Sequence, residues 1–76
     1  MTPFCRAVVD LIKAAPNHSL SAYELRVAVM EKGFGKHPAA VAMNLTKLAF
    51  KGEYVTCFVR NNNQRYFLLT SEGLSS

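Results

Sequence analysis

At Gly52 the spacing of apolar residues changes, and that change constrains the fold more than any other feature of the chain. Before it, apolar side chains recur at intervals of three and four, the period of a helix; after it they alternate, the period of a strand. In HPAAVAMNLTKLAFKG, Val41, Leu45 and Leu48 share one helical face, with Ala42 and Ala49 beside them. In EYVTCFVR, Val55, Cys57 and Val59 alternate with Tyr54, Thr56 and Phe58. Lys51 and Gly52 suit the end of the helix, the first through its charge at the negative dipole end and the second through its tolerance of left-handed backbone. The polar run NNNQ, Asn61 to Gln64, then marks a turn, and RYFLLT returns as a second strand.

Two more helices precede this unit. Thr2-Pro3 provides a cap and a proline suited to the first helical position. Phe4, Val8, Leu11, Ile12 and Ala15 follow as one apolar stripe that ends at Pro16-Asn17. Ser21-Ala22-Tyr23-Glu24 has the spacing of a capping box, flanked by Leu20 and Leu25 at the positions of a hydrophobic staple, and Leu20 can add a short strand. Leu25, Ala28 and Val29 face inward, Gly33 terminates the helix, and Phe34 plugs the core at the corner before Pro38. Tyr23, Val27, Met30, Tyr54 and Phe58 are either core or a dimer seam, and Phe58 is assigned to the core.

Seventy-six residues make one small domain. With half of them hydrophobic and 18% charged, the chain is globular, not disordered. No apolar run reaches the length of a membrane span, and MTPFCRAVVDLIKAAP does not read as a signal peptide. Cys5 and Cys57 stand in no metal-ligand or redox spacing and are expected to be buried thiols in a reducing cytoplasm, with no metal site. His18 and His37 are expected in solvent. The net charge of +4 is unevenly spread. Residues 36–65 carry Lys36, Lys47, Lys51, Arg60 and Arg65 against Glu53 alone, whereas residues 1–35 are nearly balanced. A basic excess confined to one supersecondary unit points to a polyanionic partner, with a merely solvated face as the competing explanation.

The runs LxxLAFKGEYV, Leu45 to Val55, and YFLLTSEG, Tyr66 to Gly73, resemble the winged helix-turn-helix superfamily. Members commonly end their recognition helix in a leucine-rich run, a basic residue and glycine, and close the wing with an aromatic, a leucine and Thr-x-x-Gly. The likeness covers residues 2–73. It implies a mainly α, α+β winged helix: a three-helix bundle followed by a two-stranded β-hairpin wing over 54–69, with residues 74–76 as a tail. The GFGKH link before the third helix, Pro38 to Lys51, is longer than the tight turn usual in that superfamily.

The resemblance also implies a small regulator of transcription that binds double-stranded DNA, of phage, plasmid or bacterial type, cytoplasmic and associated with the nucleoid. Dimers or adjacent copies would supply affinity. In that reading helix 38–51 enters the major groove. Ala39 and Met43 meet thymine methyls, Asn44 pairs with adenine, and Thr46 bonds to several bases. Lys47 and Lys51, with Ala40 on the same flank, reach phosphate. Lys36 and His37 lead into a helix start free of acids and open to phosphate. Arg60 and Arg65 bracket Asn61, Asn62, Asn63 and Gln64, so the wing tip is expected on the backbone or in a narrow minor groove.

Met43 and Phe50 argue for something else. If both are exposed they make an apolar patch that fits a protein partner, and the expectation is that one packs under the wing or the second helix. A protein-interaction module is therefore the alternative. RNA or single-stranded binding is disfavoured, because no stacking platform of aromatics is evident. No catalytic grouping, cofactor motif or phosphate-binding glycine loop is present, so enzymatic activity is not expected.

Overall fold

Thr2 opens the first helix, α1 (Pro3–Ala14), by accepting a bond from the Cys5 amide at 3.1 Å. These relations come from a computed structural model that describes residues 1–60 and 62–76. Cys5, Val8, Val9 and Ile12 are buried along α1, while Phe4 and Leu11 pack at the edges of that stripe. A turn at Pro16–His18, with Asn17 and His18 at positive φ, leads into the strand β1 (Ser19–Ser21). Both histidines are exposed, as expected.

Ser21 ends β1 and caps α2 (Ala22–Glu31) in the same residue. Its hydroxyl accepts from the Glu24 amide while the Glu24 carboxylate accepts from the Ser21 amide, each at 3.1 Å. That backbone bond, then the Ser21 hydroxyl, holds the Glu24 carboxyl below the usual carboxylate range. At the other end, the amides of Gly33 and Phe34 donate to the carbonyls of Met30 and Val29, a crossed pair that turns the chain at Gly33, φ +89°. Phe34 then meets Phe4 edge-on at 6.0 Å and fills the corner.

The third helix, α3 (Pro38–Lys51), ends at Gly52, φ +67°, as its sequence requires. Two strands follow, β2 (Val55–Val59) and β3 (Arg65–Leu69), and then a short helical turn, α4 (Ser71–Ser75). The sheet is three-stranded and antiparallel in the order β1-β3-β2, so the hairpin expected from the sequence is extended by a strand at its other edge. The fold is α+β and mainly helical. The expected tail 74–76 starts inside α4.

Leu20, Phe67 and Cys57 lie in register across the three strands. With Val55 and Leu69 they form the sheet face that meets the helices. Phe67 and Val55 are buried there with Leu25, Val29, Val41 and Leu45. Phe58 is not in that core. Alternation gives the inward position to Cys57 and leaves Phe58 on the outer face, stacked on Tyr66 at 5.6 Å. Cys5 is buried and Cys57 half-buried, both free thiols; burial pushes the Cys5 thiol up.

Thr70 closes the domain. Its amide donates to the Tyr54 carbonyl at 3.0 Å and its hydroxyl to the Glu53 carbonyl at 2.7 Å. The same hydroxyl accepts from the Gly73 amide at 3.1 Å, so the exit of β3 is tied to the approach of β2. Gly73 is buried in this knot, and a Cβ there would overlap the Tyr54 carbonyl oxygen and stand 3.2 Å from the Leu69 Cβ. Among the described residues, no helix is long and apolar enough to cross a membrane.

Gly73→Ala should lower stability by about 1–3 kcal/mol, the usual result of forcing extra volume into a filled site, read by thermal or urea denaturation. A carboxyl whose folded pKa is lowered adds stability above its unfolded value and loses it as pH falls through the folded value. Glu24→Gln should therefore flatten the fall of melting temperature with acid below the usual carboxylate range; an unchanged acid limb would exclude a role for that carboxylate.

Candidate functional site

With Val41 and Leu45 buried and Leu48 half-buried, helical period puts Ala39, Met43, Thr46 and Phe50 on the opposite side of α3 as a ridge in solvent. Met43 is 60% exposed and Phe50 90%. Neither packs under the hairpin or α2, which corrects the expectation that one would. Burial of Val41 and Leu45 sets the rotation of α3 and carries both side chains to its far side, so the flank lined by Ala42, Ala49 and Leu45 above Phe67 stays open. Thr46 is exposed, and its hydroxyl proton is committed to the Ala42 carbonyl at 2.9 Å.

The two flanks of the ridge differ in chemistry. Toward α2 and the hairpin, two adjoining grooves of about 180 and 200 Å³ share Thr46, Arg65 and Phe67. One adds Ala49, Phe50, Thr56 and Cys57. The other brings in Ala22, Ala42, Leu45 and a residue the sequence reading missed, Arg26 of α2. Both arginines thus border an apolar floor, and no carboxylate lines either groove. By helical period Glu24 and Glu31 lie on the other flank of α2 from Arg26. The period alone places Arg26 at the edge of the α2 core face, but which neighbour occupies that edge follows only from how α2 crosses α3.

On the opposite flank of α3 stand Ala40, Asn44, Lys47 and Lys51, all exposed. Lys51 reaches toward the start of α1, lining a cleft with Met1, Thr2, Cys5 and Tyr54. It pairs with Glu53 at 3.6 Å, an exposed contact. Pairs of this kind hold by about 1 kcal/mol or less, so Lys51 is readily released to a stronger anion. At the head of α3, Lys36 and His37 are exposed; His37 is the cap residue but offers no side-chain bond, and the first turn contains no acid.

The hairpin separates its two arginines. Val59 pairs with Arg65, placing Arg65 on the row that continues from Phe67 toward α3. Arg60 lies on the other side, its guanidinium 4.6 Å from the Tyr66 ring centre and 5.9 Å from that of Phe58. The two guanidinium groups that bracket the tip in sequence thus leave opposite faces of the hairpin, and the cause is the two-residue period of the strand. At the tip, Asn62, Asn63 and Gln64 are exposed; the Arg60 amide bonds to the Gln64 carbonyl at 2.8 Å, and Tyr66 donates to the Gln64 side chain at 3.1 Å. Asn61, also expected in the site, lies outside the described residues. No group of three or more His, Cys, Asp or Glu side chains able to hold a metal occurs among the described residues.

No family model, curated protein or solved structure matches this chain.

The split between the arginines has a measurable consequence. Arg60→Ala should cost about 0.5–1 kcal/mol, the usual size of an exposed cation–π contact. Arg65→Ala should leave stability within about 0.5 kcal/mol of wild type. Equal losses in thermal denaturation would show that Arg60 does not rest on the aromatic pair.

Proposed function

We propose that this chain is a winged helix-turn-helix protein that binds double-stranded DNA, with α3 in the major groove and the β2–β3 hairpin along the neighbouring backbone. The order of elements and the β1-β3-β2 sheet support the fold reading. One observation carries the function: the exposed ridge of α3 has cations on both flanks, Arg26 and Arg65 on one side and Lys47 and Lys51 on the other. The major groove admits a single helix between two walls of phosphate, and this arrangement answers both walls. The acid-free start of α3, with Lys36 and His37 beside it, favours a phosphate there too.

In this reading the wing acts through Arg65, and Arg60 serves the hairpin itself. The role is binding without chemistry, suited to a regulator of transcription at the nucleoid, where paired or adjacent copies strengthen the hold of a small module. Phe50, exposed at 90%, supports a second reading, a module that docks a protein through Met43 and Phe50.

Binding to a mixed-sequence duplex across a range of salt separates the two. Neutralising about four phosphates gives a log–log slope of roughly −3 to −4. Arg26→Ala and Arg65→Ala should each weaken binding and reduce that slope by about one, while Arg60→Ala should leave it alone. A slope near zero, or no binding, would overturn the DNA reading. Association with a protein that survives high salt and is lost in Phe50→Glu would replace it.

A further inference from the structure

The ridge that α3 presents is chemically one-sided. Ala39 offers a methyl group, Met43 a thioether and Phe50 a phenyl ring, all exposed. Thr46 has given its hydroxyl proton to the Ala42 carbonyl, so it approaches a partner without a free donor and with its γ-methyl as its apolar group. Asn44, Lys47 and Lys51, the α3 side chains with donors to spare, are on the flank by helical period.

In the major groove, guanine is read by the paired donors of arginine or lysine and adenine by the amide of asparagine or glutamine. The crest of this ridge has none of these. One apolar group is available on the base edges of that groove, the methyl on C5 of thymine, and the same position is occupied in 5-methylcytosine. Phe50 and Met43 stand in water in the free protein, so covering them with methyl groups returns the free energy of burying apolar surface. The cations on both flanks supply the complementary charge that would bring a duplex, not an uncharged apolar partner, onto the ridge.

We infer that the α3 ridge reads C5-methyl groups, so the favoured ligands are duplexes that place thymine or 5-methylcytosine against Ala39, Met43, Thr46 and Phe50. This rests on the DNA-binding reading above. Methyl contact, with few base-directed hydrogen bonds, then sets the sequence preference, while Arg26, Arg65, Lys47 and Lys51 supply affinity through phosphate.

The test is competition between two random-sequence duplex pools, one made with thymidine and the other with deoxyuridine, which removes the methyl and keeps the pairing. It is run at raised salt, where the phosphate contribution is reduced. The thymidine pool should win by roughly fourfold for each methyl in contact, the equivalent of about 0.8 kcal/mol per methyl-sized group buried. Placing 5-methylcytosine in the deoxyuridine pool should restore part of the loss. The Met43→Ser/Phe50→Ser protein, altered only at exposed positions, should keep its salt slope and lose the preference. Equal binding of the two pools, or a preference that survives the double substitution, would overturn the inference and leave the DNA reading standing. Binding to neither pool would remove both.

Discussion

Phe67 is held in the middle strand of the sheet, between Leu20 on one side and Cys57 on the other, and the helices close over it. Ala22 of α2 and Leu45 of α3 border the same grooves as this ring, so its position sets how near both helices come to the hairpin. Small side chains at Ala42 and Ala49 on that flank of α3 permit the approach. Because Val41 and Leu45 are committed to the core below, rotation of α3 is fixed, and Met43 and Phe50 are carried outward. Exposure of two large apolar residues is thus a consequence of core packing, and the free protein keeps a surface it gains nothing by leaving in water.

The closing knot at Thr70 acts on the same geometry from the other end. By binding Glu53 and Tyr54 it joins the exit of β3 to the segment between α3 and β2. The hairpin is therefore anchored at its base on both strands, and its side chains keep a set relation to α3. Arg65 benefits directly, since it borders the grooves beside the ridge. Arg60 is turned to the opposite face and takes the aromatic pair Phe58 and Tyr66 as its partner. Basic residues close in sequence have separated in space, while Arg26, distant in sequence, borders the same groove as Arg65.

Much of the architecture was legible from local signals. The Thr2 cap, the Ser21–Glu24 box, the terminators Gly33 and Gly52 and the switch to alternation after Gly52 each act through neighbouring backbone, so they operate wherever the chain is placed. They locate α1, α2, α3 and the hairpin. The third strand was visible only as an option at Leu20, because three residues acquire strand geometry by pairing with β3 and have little preference alone. Phe58 lies outside the core for a related reason: alternation establishes that Phe58 and Cys57 face opposite ways, but not which of them faces the helices, and size alone favours the wrong one.

Local order, then, was written in residues that interact within a few positions of one another: caps, turns, the periods of helix and strand, and the concentration of positive charge between Lys36 and Arg65. Which charges share a surface was not, because that depends on helix crossing and sheet pairing between segments far apart in the chain. The groove shared by Arg26 and Arg65, the diversion of Arg60 onto Tyr66 and the solvent position of Phe50 all arise there. Period assigns a side chain to a face; only the packing of that face against others says whether it meets core, neighbour or water.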